Sequence, residues 1–439
     1  MSEQPVDYLI HARWIIPVEP PRTVLERHAI AVADGKIAAI LPSEEARSRY
    51  AAQHQIELAE HALIPGLINL HTHAAMSLMR GIADDLALME WLKHHIWPAE
   101  GKYVSHRFVY DGTLLACAEM LKGGITCFND MYFFPQASAQ AALAARMRAV
   151  VGMVIIDSPT AYASDAQDYL SKGLATRDEF KNEPLLGFTL APHAPYTVGD
   201  NTFEQVVTYA EQLNLPVHVH VHETRDEVEE SLRQYGVRPL ARMQRLGLLG
   251  PNLIAVHGVH LAAEEIDQLA MHGCHVAHCP TSNLKLASGI APVSGLIEHK
   301  VNIGLGTDGA ASNNRLDLFE EMRLASLLAK GASVDAAALP AHEALKMATL
   351  NAARALGLEH AIGSLAVGKA ADIVAVDYFA LSMNPCYDPI SHLVYVAGRN
   401  DVSHVWVAGE LLVENGKLVH LDERELCNNA RYWREEIRP

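Results

Sequence analysis

The amino-acid sequence predicts an α/β fold, a (β/α)8 TIM-type barrel with a small β-sandwich formed by the N- and C-terminal segments. Strands buried on both faces are continuous apolar runs, and alternation of such strands with helices implies parallel pairing. Both ends of the chain instead alternate apolar and polar residues, which is typical of half-buried strands. Eight apolar runs separated by helical patterns fill the middle of the chain: ALIPGLINLHTH, ITCFND, AVVGMVIID, LLGFTLAPHAP, LPVHVHVHE, NLIAVHGV, HVAHCP and VNIGLGTD.

The terminal segments carry two hairpin signals. Asp34-Gly35 separates the alternating stretches near the N-terminus, and Asn415-Gly416 does so near the C-terminus. Both dipeptides favour two-residue turns between antiparallel strands. We therefore expect two small antiparallel half-sheets that pair into one sandwich.

The domain organisation follows from these patterns. Residues 1–62 and 370–439 are predicted to form the composite β-sandwich, and residues 63–369 the barrel. A chain of 439 residues is long enough for one large barrel and one smaller unit.

Composition excludes several classes of protein. Half of the residues are hydrophobic and 20% are charged, which is typical of a globular chain. The net charge of -17 argues against a nucleic-acid partner and favours a small neutral or cationic substrate. The six cysteines show no CxxC spacing, and neither a signal peptide nor an apolar run of about 20 residues is recognisable, so we expect a cytoplasmic protein without a membrane partner.

Polar side chains follow six of the eight apolar runs. Catalytic groups of such barrels lie at the carboxyl ends of the strands, so these side chains should converge. A single His-x-His pair is a weak metal signal, whereas the combination is specific. The residues are His71 and His73 after the first run, His193 after the fourth, His220 and Glu223 after the fifth, His257 after the sixth, His278 after the seventh and Asp308 after the eighth.

These residue types are suited to metal-assisted hydrolysis. Neutral imidazoles and one carboxylate can hold a divalent ion such as Zn²⁺ while a position stays open for water, and the ion lowers the pKa of that water. The third and fourth runs contain no lysine that could bridge two metals. We therefore expect one divalent ion per subunit.

Five motifs resemble the amidohydrolase superfamily, specifically its mononuclear zinc aminohydrolases, a branch that contains 5-methylthioadenosine/S-adenosylhomocysteine deaminases and triazine chlorohydrolases. The similarity covers essentially the whole chain. The motifs are PGLINLHTH, APHAPYTV, HVHET, HCPTSNLKLASGIAPV and GTDGAASNN.

The resemblance implies roles for individual residues. The implied metal ligands are His71, His73, His220 and Asp308. Glu223 would bind the substrate and carry a proton to the purine ring and then to the leaving amine, and His257 would work with Asp308 to orient and deprotonate the water. Because chloride leaves without a proton, the His-x-x-Glu pair favours deamination over dechlorination.

The resemblance also implies a nucleoside pocket. Glu100 would accept hydrogen bonds from the ribose hydroxyls, Trp91 would form an apolar wall and His193 would contact the purine. Arg148 is the candidate for a ribose-side arginine, although Arg146 also fits.

The predicted reaction is hydrolytic deamination of a 6-aminopurine nucleoside to its inosine analogue and ammonia. The substrate would be 5'-methylthioadenosine, with S-adenosylhomocysteine and adenosine as further candidates. The alternative is a deaminase or chlorohydrolase that acts on a free heterocycle of the guanine, cytosine or triazine type, and a non-catalytic binding relative is a third reading. The resemblance suggests a homo-oligomer, a dimer or a tetramer, while the 5' substituent and the metal identity stay open.

The segment LPVHVHVHET contains histidines at every second position. Strand geometry places such residues on one face, too far apart for one ion to use all three. We expect only His220 to be level with the other ligands, His218 to fill the barrel interior, and His222 to lie past the end of the strand.

Overall fold

The computed structural model describes residues 4–438. The strands in chain order are β1 (Gln4–Ile15), β2 (Leu25–Ala33), β3 (Lys36–Pro42), β4 (Tyr50–Pro65), β5 (Leu67–Thr72), β6 (Ile125–Asp130), β7 (Arg148–Ile155), β8 (Leu186–Pro192), β9 (Val217–Val221), β10 (Leu253–His257), β11 (His275–His278), β12 (Asn302–Leu305), β13 (Ile373–Asp377), β14 (Val402–Val407), β15 (Glu410–Glu414) and β16 (Lys417–Leu418).

The α-helices are α1 (Ser43–Arg49), α2 (Leu88–Trp91), α3 (Trp97–Tyr103), α4 (His106–Lys122), α5 (Pro135–Ala144), α6 (Ala166–Phe180), α7 (Asp200–Leu213), α8 (Arg225–Tyr235), α9 (Pro239–Arg245), α10 (Ala263–Met271), α11 (Pro280–Lys285), α12 (Val293–Glu298), α13 (Leu318–Ser333), α14 (Ala341–Met347), α15 (Leu350–Ala355), α16 (Pro389–Tyr395) and α17 (Glu423–Ile437). Short 3₁₀ helices cover Ala74–Met79, Leu381–Met383 and Arg399–Asp401, and a π-helical turn covers Leu92–Ile96.

Strands β5 to β12 form the parallel barrel, and each of the eight predicted apolar runs contains one of them. The last strand returns to the first: the amide of Asp308 donates to the carbonyl of His71 at 3.0 Å, and the amide of Thr307 donates to the side chain of Asn69 at 2.9 Å. Because all eight strands run in the same direction, their carboxyl ends open at one end of the barrel. The predicted fold class is therefore confirmed.

The second sheet joins both ends of the chain in the order β16-β15-β14-β13-β4-β1-β2-β3. The prediction of purely antiparallel pairing is wrong at one place, because helix α1 carries the chain across and lets β4 run parallel to β1. Both predicted turns are confirmed, with left-handed φ of 50° and 72° at Asp34 and Gly35, and 51° and 72° at Asn415 and Gly416.

The terminal sheet folds over on itself. A Cβ at Gly35 would lie 2.6 Å from the carbonyl oxygen of Ala408, so the β2–β3 turn and the β14–β15 turn can touch only because residue 35 has no side chain. Apolar residues from both halves of the sheet share one core, among them Ile10, Ile30, Ile373 and Trp406. The sheet thereby becomes the small sandwich beside the barrel.

The C-terminal helix α17 packs on barrel helix α4. The indole N–H of Trp433 donates to Asp111 at 2.9 Å, and its ring meets the edge of Phe108 with centroids 5.1 Å apart. Within residues 4–438, no helix combines the length and apolar character that crossing a bilayer requires. The domain boundaries at 62/63 and 369/370 stay a prediction.

Candidate metal centre and its pocket

The four predicted ligands meet at the carboxyl end of the barrel. Oδ1 of Asp308 lies 3.3 Å from Nε2 of His71 and 3.3 Å from Nε2 of His73. Nε2 of His220 lies 3.2 Å from Nε2 of His71. The carboxyl ends of β5 and β9 and the segment after β12 thus bring four potential ligand atoms to one point.

Hydrogen bonds on the far side of the rings fix which nitrogen faces that point. Nδ1 of His73 donates to the carbonyl of Met131 at 2.5 Å, and Nδ1 of His220 donates to the carbonyl of His193 at 2.8 Å. A neutral imidazole carries only one N–H, so Nε2 of both rings presents a lone pair to the centre. Such outer hydrogen bonds are the usual means of orienting metal-ligating histidines.

The donor set fits a divalent cation. The Nε2 lone pair of His73 faces a carboxylate oxygen of Asp308, so these two acceptors repel unless a positive charge lies between them. Nε2 of His220 also presents its lone pair to this point, and burial lowers the pKa of His71 to about 4 and that of His220 well below its ordinary value, so both rings are neutral. Three imidazole nitrogens and one carboxylate oxygen are the ligands that zinc takes with an open position.

Three hydrogen-bond donors fix the side chain of Asp308. Its Oδ2 accepts the hydroxyls of Ser282 at 2.6 Å and Ser312 at 2.9 Å, and its Oδ1 accepts the amide of Gly309 at 2.7 Å. These three donors stabilise the ionised carboxylate, which is the form that binds metal or accepts a proton. Its backbone adopts a left-handed φ of 60°, which directs the chain back over the barrel mouth.

His257 and Glu223 lie beside the four ligands. Nδ1 of His257 donates to Oδ1 of Asn283 at 2.8 Å, which leaves a lone pair on Nε2, 3.8 Å from a carboxylate oxygen of Glu223. Ring nitrogens of His257 also come within 4.8 Å of those of His71 and His220. Burial, with a smaller contribution from the charge of Asp308, raises the pKa of Glu223 to about 8, so its carboxyl group can carry a proton at neutral pH.

A cavity of about 350 Å³ opens above this centre. Its walls are mostly apolar, and they include Trp91 and Trp97 from the helical segment before α4. His73, His220, Glu223, His257 and Asp308 form the floor of the cavity, and His193 and Glu100 also line it. His71 is completely buried beneath the floor.

Glu100 places a carboxyl group in the mostly apolar wall of the cavity. One carboxylate oxygen accepts the hydroxyl of Tyr132 at 2.8 Å. Burial raises the pKa of Glu100 to about 7, opposed by the Tyr132 hydrogen bond and by His73. The second oxygen is not engaged by Tyr132 and can accept further hydrogen bonds.

His193 presents one hydrogen-bond acceptor. The hydroxyl of Thr197 donates to the carbonyl of Ala194 at 3.1 Å, so it accepts from Nδ1 of His193 at 3.0 Å. Burial lowers the pKa of His193 to about 3, and the neutral ring therefore keeps a lone pair on Nε2.

Arg148 does not belong to this site. It is the first residue of β7 and thus lies at the amino end of the barrel, opposite the pocket. At that end, its Nε and one terminal nitrogen each donate to a carboxylate oxygen of Asp372 at 3.1 Å. Arg146 pairs with Glu410 on the surface. These positions argue against the ribose-side role. A residue that precedes an apolar run lies at the amino end of its strand, whereas the pocket lies at the carboxyl ends.

Sequence reasoning assigned no role to several residues that support the site. Tyr132 holds Glu100, Asn283 orients His257, and Ser282 and Ser312 hold Asp308. The last three lie inside the motifs HCPTSNLKLASGIAPV and GTDGAASNN, which could have pointed to them. His278 is buried without a side-chain hydrogen bond, and it is not among the residues that line the pocket.

Comparison with known proteins agrees with this geometry. The chain is 48% identical, over 99% of its length and 98% of the relative, to a 5-methylthioadenosine/S-adenosylhomocysteine deaminase of Saccharophagus degradans. The crystal structure of an adenosine deaminase from Xanthomonas campestris with bound zinc superposes with a TM-score of 0.98, at 49% identity and full coverage of both chains.

A more distant structure shares the fold alone. The zinc complex of atrazine chlorohydrolase from Arthrobacter aurescens has a TM-score of 0.90 at 24% identity, and the match covers 97% of this chain and 99% of that one. The model of the amidohydrolase family matches residues 62–412, which span the whole barrel and part of the terminal sheet. The predicted relationship is confirmed, and the chain belongs to the amidohydrolase family.

Proposed function

We propose that this protein is a metal-dependent aminohydrolase that converts a 6-aminopurine nucleoside into its inosine analogue and ammonia. The observation that carries the proposal is a buried, protonatable carboxyl group on Glu223, 3.8 Å from His257 and beside a ready-made set of metal ligands. The relatives named as deaminases support the same reaction class.

His71, His73, His220 and Asp308 are the residues that would hold the ion. Zinc is the proposed metal, since a relative 49% identical to this chain was crystallised with it. When bound, zinc would lower the pKa of a water molecule at the open position and polarise the site.

The proposed proton path uses three side chains. The Nε2 lone pair of His257 and the carboxylate of Asp308 orient the attacking water and accept its proton. Glu223 donates its proton to the purine ring nitrogen, takes up the proton of the new C6 hydroxyl as the carbonyl forms, and passes it to the departing amine, for which its raised pKa is suited. The proton held by His257 and Asp308 then restores the acid form of Glu223, whose carboxylate lies 3.8 Å from His257. An amine leaves far more readily as ammonia than as an anion, so the reaction needs such an acid.

The side chains that line the pocket are better suited to bind a nucleoside than a free base. A carboxylate can accept both hydrogen bonds of a vicinal diol, and we assign this role to Glu100 with Tyr132 as its support. Trp91 forms part of the apolar wall. The Nε2 lone pair of His193 can accept an N–H from the purine, such as that of an exocyclic amine.

The pocket also favours an uncharged 5' substituent. Among the residues of 4–438 that line the cavity there is no lysine or arginine, whereas Glu100, Glu223 and Asp308 contribute carboxyl groups. The homocysteinyl group of S-adenosylhomocysteine carries a carboxylate that would find no cationic partner there. We therefore place 5'-methylthioadenosine ahead of S-adenosylhomocysteine as substrate.

Ammonia release tests the proposal. The zinc-loaded protein is assayed with 5'-methylthioadenosine, S-adenosylhomocysteine, adenosine, guanine and a chlorotriazine, and the first compound should give the highest kcat/KM. Absence of activity on every 6-aminopurine nucleoside would overturn the reaction, and turnover of guanine or the triazine alone would establish the free-heterocycle alternative.

Three further properties are proposals of the same kind: a cytoplasmic location, a division into a sandwich (1–62 and 370–439) and a barrel (63–369), and a homo-oligomer. Exposed Phe379, Leu381 and Tyr387 support the last, because monomers rarely expose several large apolar side chains close together in sequence. Light scattering of the purified protein should give the mass of a dimer or tetramer rather than 48.0 kDa.

A further inference from the structure

The position of Glu223 depends on a turn that immediately follows β9. Side chains alternate between faces along a strand, so an extended chain would put residues 220 and 223 on opposite faces. His222 breaks the alternation with a left-handed φ of 56°. The turn brings Glu223 to the same side as His220, where both line the pocket.

Glu227 holds this turn from behind. Its Oε1 accepts the amide of His222 at 2.9 Å, and its Oε2 accepts the amide of Glu223 at 2.8 Å. Its own amide donates to the hydroxyl of Thr224, the N-cap of α8, at 3.3 Å. One buried carboxylate therefore binds the two consecutive amides that the left-handed residue turns in its direction.

Glu227 differs in burial from the other residues of its acidic segment. The sequence ETRDEVEE predicts a solvated helix face after Glu223, and Asp226, Glu229 and Glu230 are exposed as predicted. Glu227 is 6% exposed and contacts neither the cavity nor the metal ligands by a hydrogen bond. Burying a carboxylate is costly unless hydrogen bonds compensate it. The Glu227 carboxylate is compensated by two backbone amides, so its effect is to fix the position of the chain at those amides.

We propose that Glu227 is a positioning residue for the proton shuttle: it fixes the 222–223 turn and thereby places the Glu223 carboxyl group against the substrate. This inference rests on the proposed deaminase function. Glutamine at position 227 would offer one oxygen to one amide and set an NH₂ group against the other amide, so the turn would relax and Glu223 would move.

The test compares Glu227→Gln with Glu229→Gln, an exposed carboxylate on the same helix. With 5'-methylthioadenosine, E227Q should lower kcat by about 10- to 100-fold, the usual effect of removing an outer-shell partner or misplacing a catalytic group. KM and the zinc content should stay close to those of the wild type, and E229Q should match the wild type throughout. An unchanged kcat in E227Q would overturn the inference.

A substrate with a different leaving group adds a readout that a general structural defect would not give. Both substrates need the ring proton, but only the amine needs a second proton to leave, so E227Q should impair release of ammonia from adenosine more than release of chloride from 6-chloropurine riboside. An equal loss with both substrates, or loss of zinc, would refute the positioning role. A wild type inactive on every 6-aminopurine nucleoside would instead refute the proposed function.

If E227Q does not yield soluble protein, Glu227→Asp replaces it. The shorter carboxylate can reach only one of the two amides, so a smaller fall in kcat with the same preference for chloride release is expected. Wild-type kcat in E227D together with wild-type substrate preference would count against the inference.

Discussion

The two ends of the barrel treat buried polar groups in opposite ways. At the amino end, Arg148 and Asp372 satisfy each other through two hydrogen bonds of 3.1 Å, and Asp372 also accepts the amide of Ala408. At the carboxyl end, the Nε2 lone pair of His73 faces a carboxylate oxygen of Asp308 at 3.3 Å, and Nε2 of His220 lies 3.2 Å from Nε2 of His71. The polar groups at the amino end are satisfied by each other, while those at the carboxyl end leave lone pairs directed at one point.

Three residues at the carboxyl end have an unusual backbone conformation. Left-handed φ values occur at His222, His257 and Asp308, where the chain leaves the carboxyl ends of β9, β10 and β12. For residues other than glycine this conformation is unfavourable, and it persists where the surroundings enforce it, often at functional sites. The comparison teaches that buried polar groups at the amino end pair with each other, whereas those at the carboxyl end converge on one point beside the pocket.

The largest effect is expected at a ligand. His220→Ala removes one of four ligand atoms and should abolish zinc retention and lower kcat by more than about 10⁴-fold. Metal analysis by mass spectrometry and ammonia release measure the two effects. A variant that retains one zinc per subunit would show that the carboxyl end does not need this ligand.

Removal of the proton shuttle should cost less than removal of a ligand. Glu223→Gln keeps the size of the side chain and removes the acid, so kcat should fall by about 10²- to 10⁴-fold while the zinc content is unchanged. Steady-state kinetics with 5'-methylthioadenosine checks the fall. Activity within a few-fold of the wild type would transfer the acid role to another group.

At the amino end of the barrel, removal of a charged side chain should affect the free energy of unfolding and leave activity unchanged. Arg148→Ala leaves Asp372 buried with a single amide donor and should lower the free energy of unfolding by about 3 kcal/mol, with kcat/KM unchanged. Arg146→Ala, which breaks an exposed pair with Glu410, should cost at most about 1 kcal/mol. Urea denaturation measures both, and a raised KM in R148A alone would restore its ribose-side role.

The pH profile of kcat/KM should be bell-shaped. The protonated, proton-donating form of Glu223 prevails below its raised pKa of about 8 and is lost as pH rises. The charged, hydroxyl-accepting form of Glu100 prevails above its raised pKa of about 7 and is lost as pH falls. Each limb should approach a tenfold change per pH unit. Glu100→Gln should remove the acidic limb only, and an acidic limb unchanged in E100Q would contradict this assignment.

A smaller effect on metal binding than that of H220A is expected at His218. This residue fills the barrel interior as predicted from the sequence, but its Nε2 also lies 2.9 Å from Nδ1 of the ligand His71. His218→Ala should therefore weaken zinc affinity by about tenfold in addition to its cost in stability. Competition with a chelator measures the affinity, and zinc loss as complete as in H220A would mean that His218 is itself a ligand.

The barrel and the convergence of its polar strand ends could be predicted from the sequence because both depend on local patterns. Apolar runs mark buried parallel strands, and polar residues at their ends mark the barrel mouth, where His71, His73, His220 and Asp308 lie together. Arg148 precedes its apolar run, a position that indicates the amino end of a strand, and the structure places it there. The family resemblance alone implies a ribose-side role for it.

Features that depend on backbone turns and distant partners were not accessible. Glu227 is indistinguishable in sequence from its exposed acidic neighbours, and its burial follows only from the turn at His222. The parallel pairing of β1 with β4 likewise depends on the path of α1. Hairpin turns were predictable because their dipeptides encode the required φ values locally.

The seam between the first and last barrel strands has a consequence for assembly. Thr72 donates to the carbonyl of Asp308 at 3.0 Å across 236 positions of sequence, so the ligands on either side of the seam meet only after nearly the whole barrel has formed. Contacts this far apart in sequence form late during folding, because long loops must close first. An ion held by these residues would bind the finished barrel and stabilise it by mass action, so we expect zinc affinity to report barrel closure.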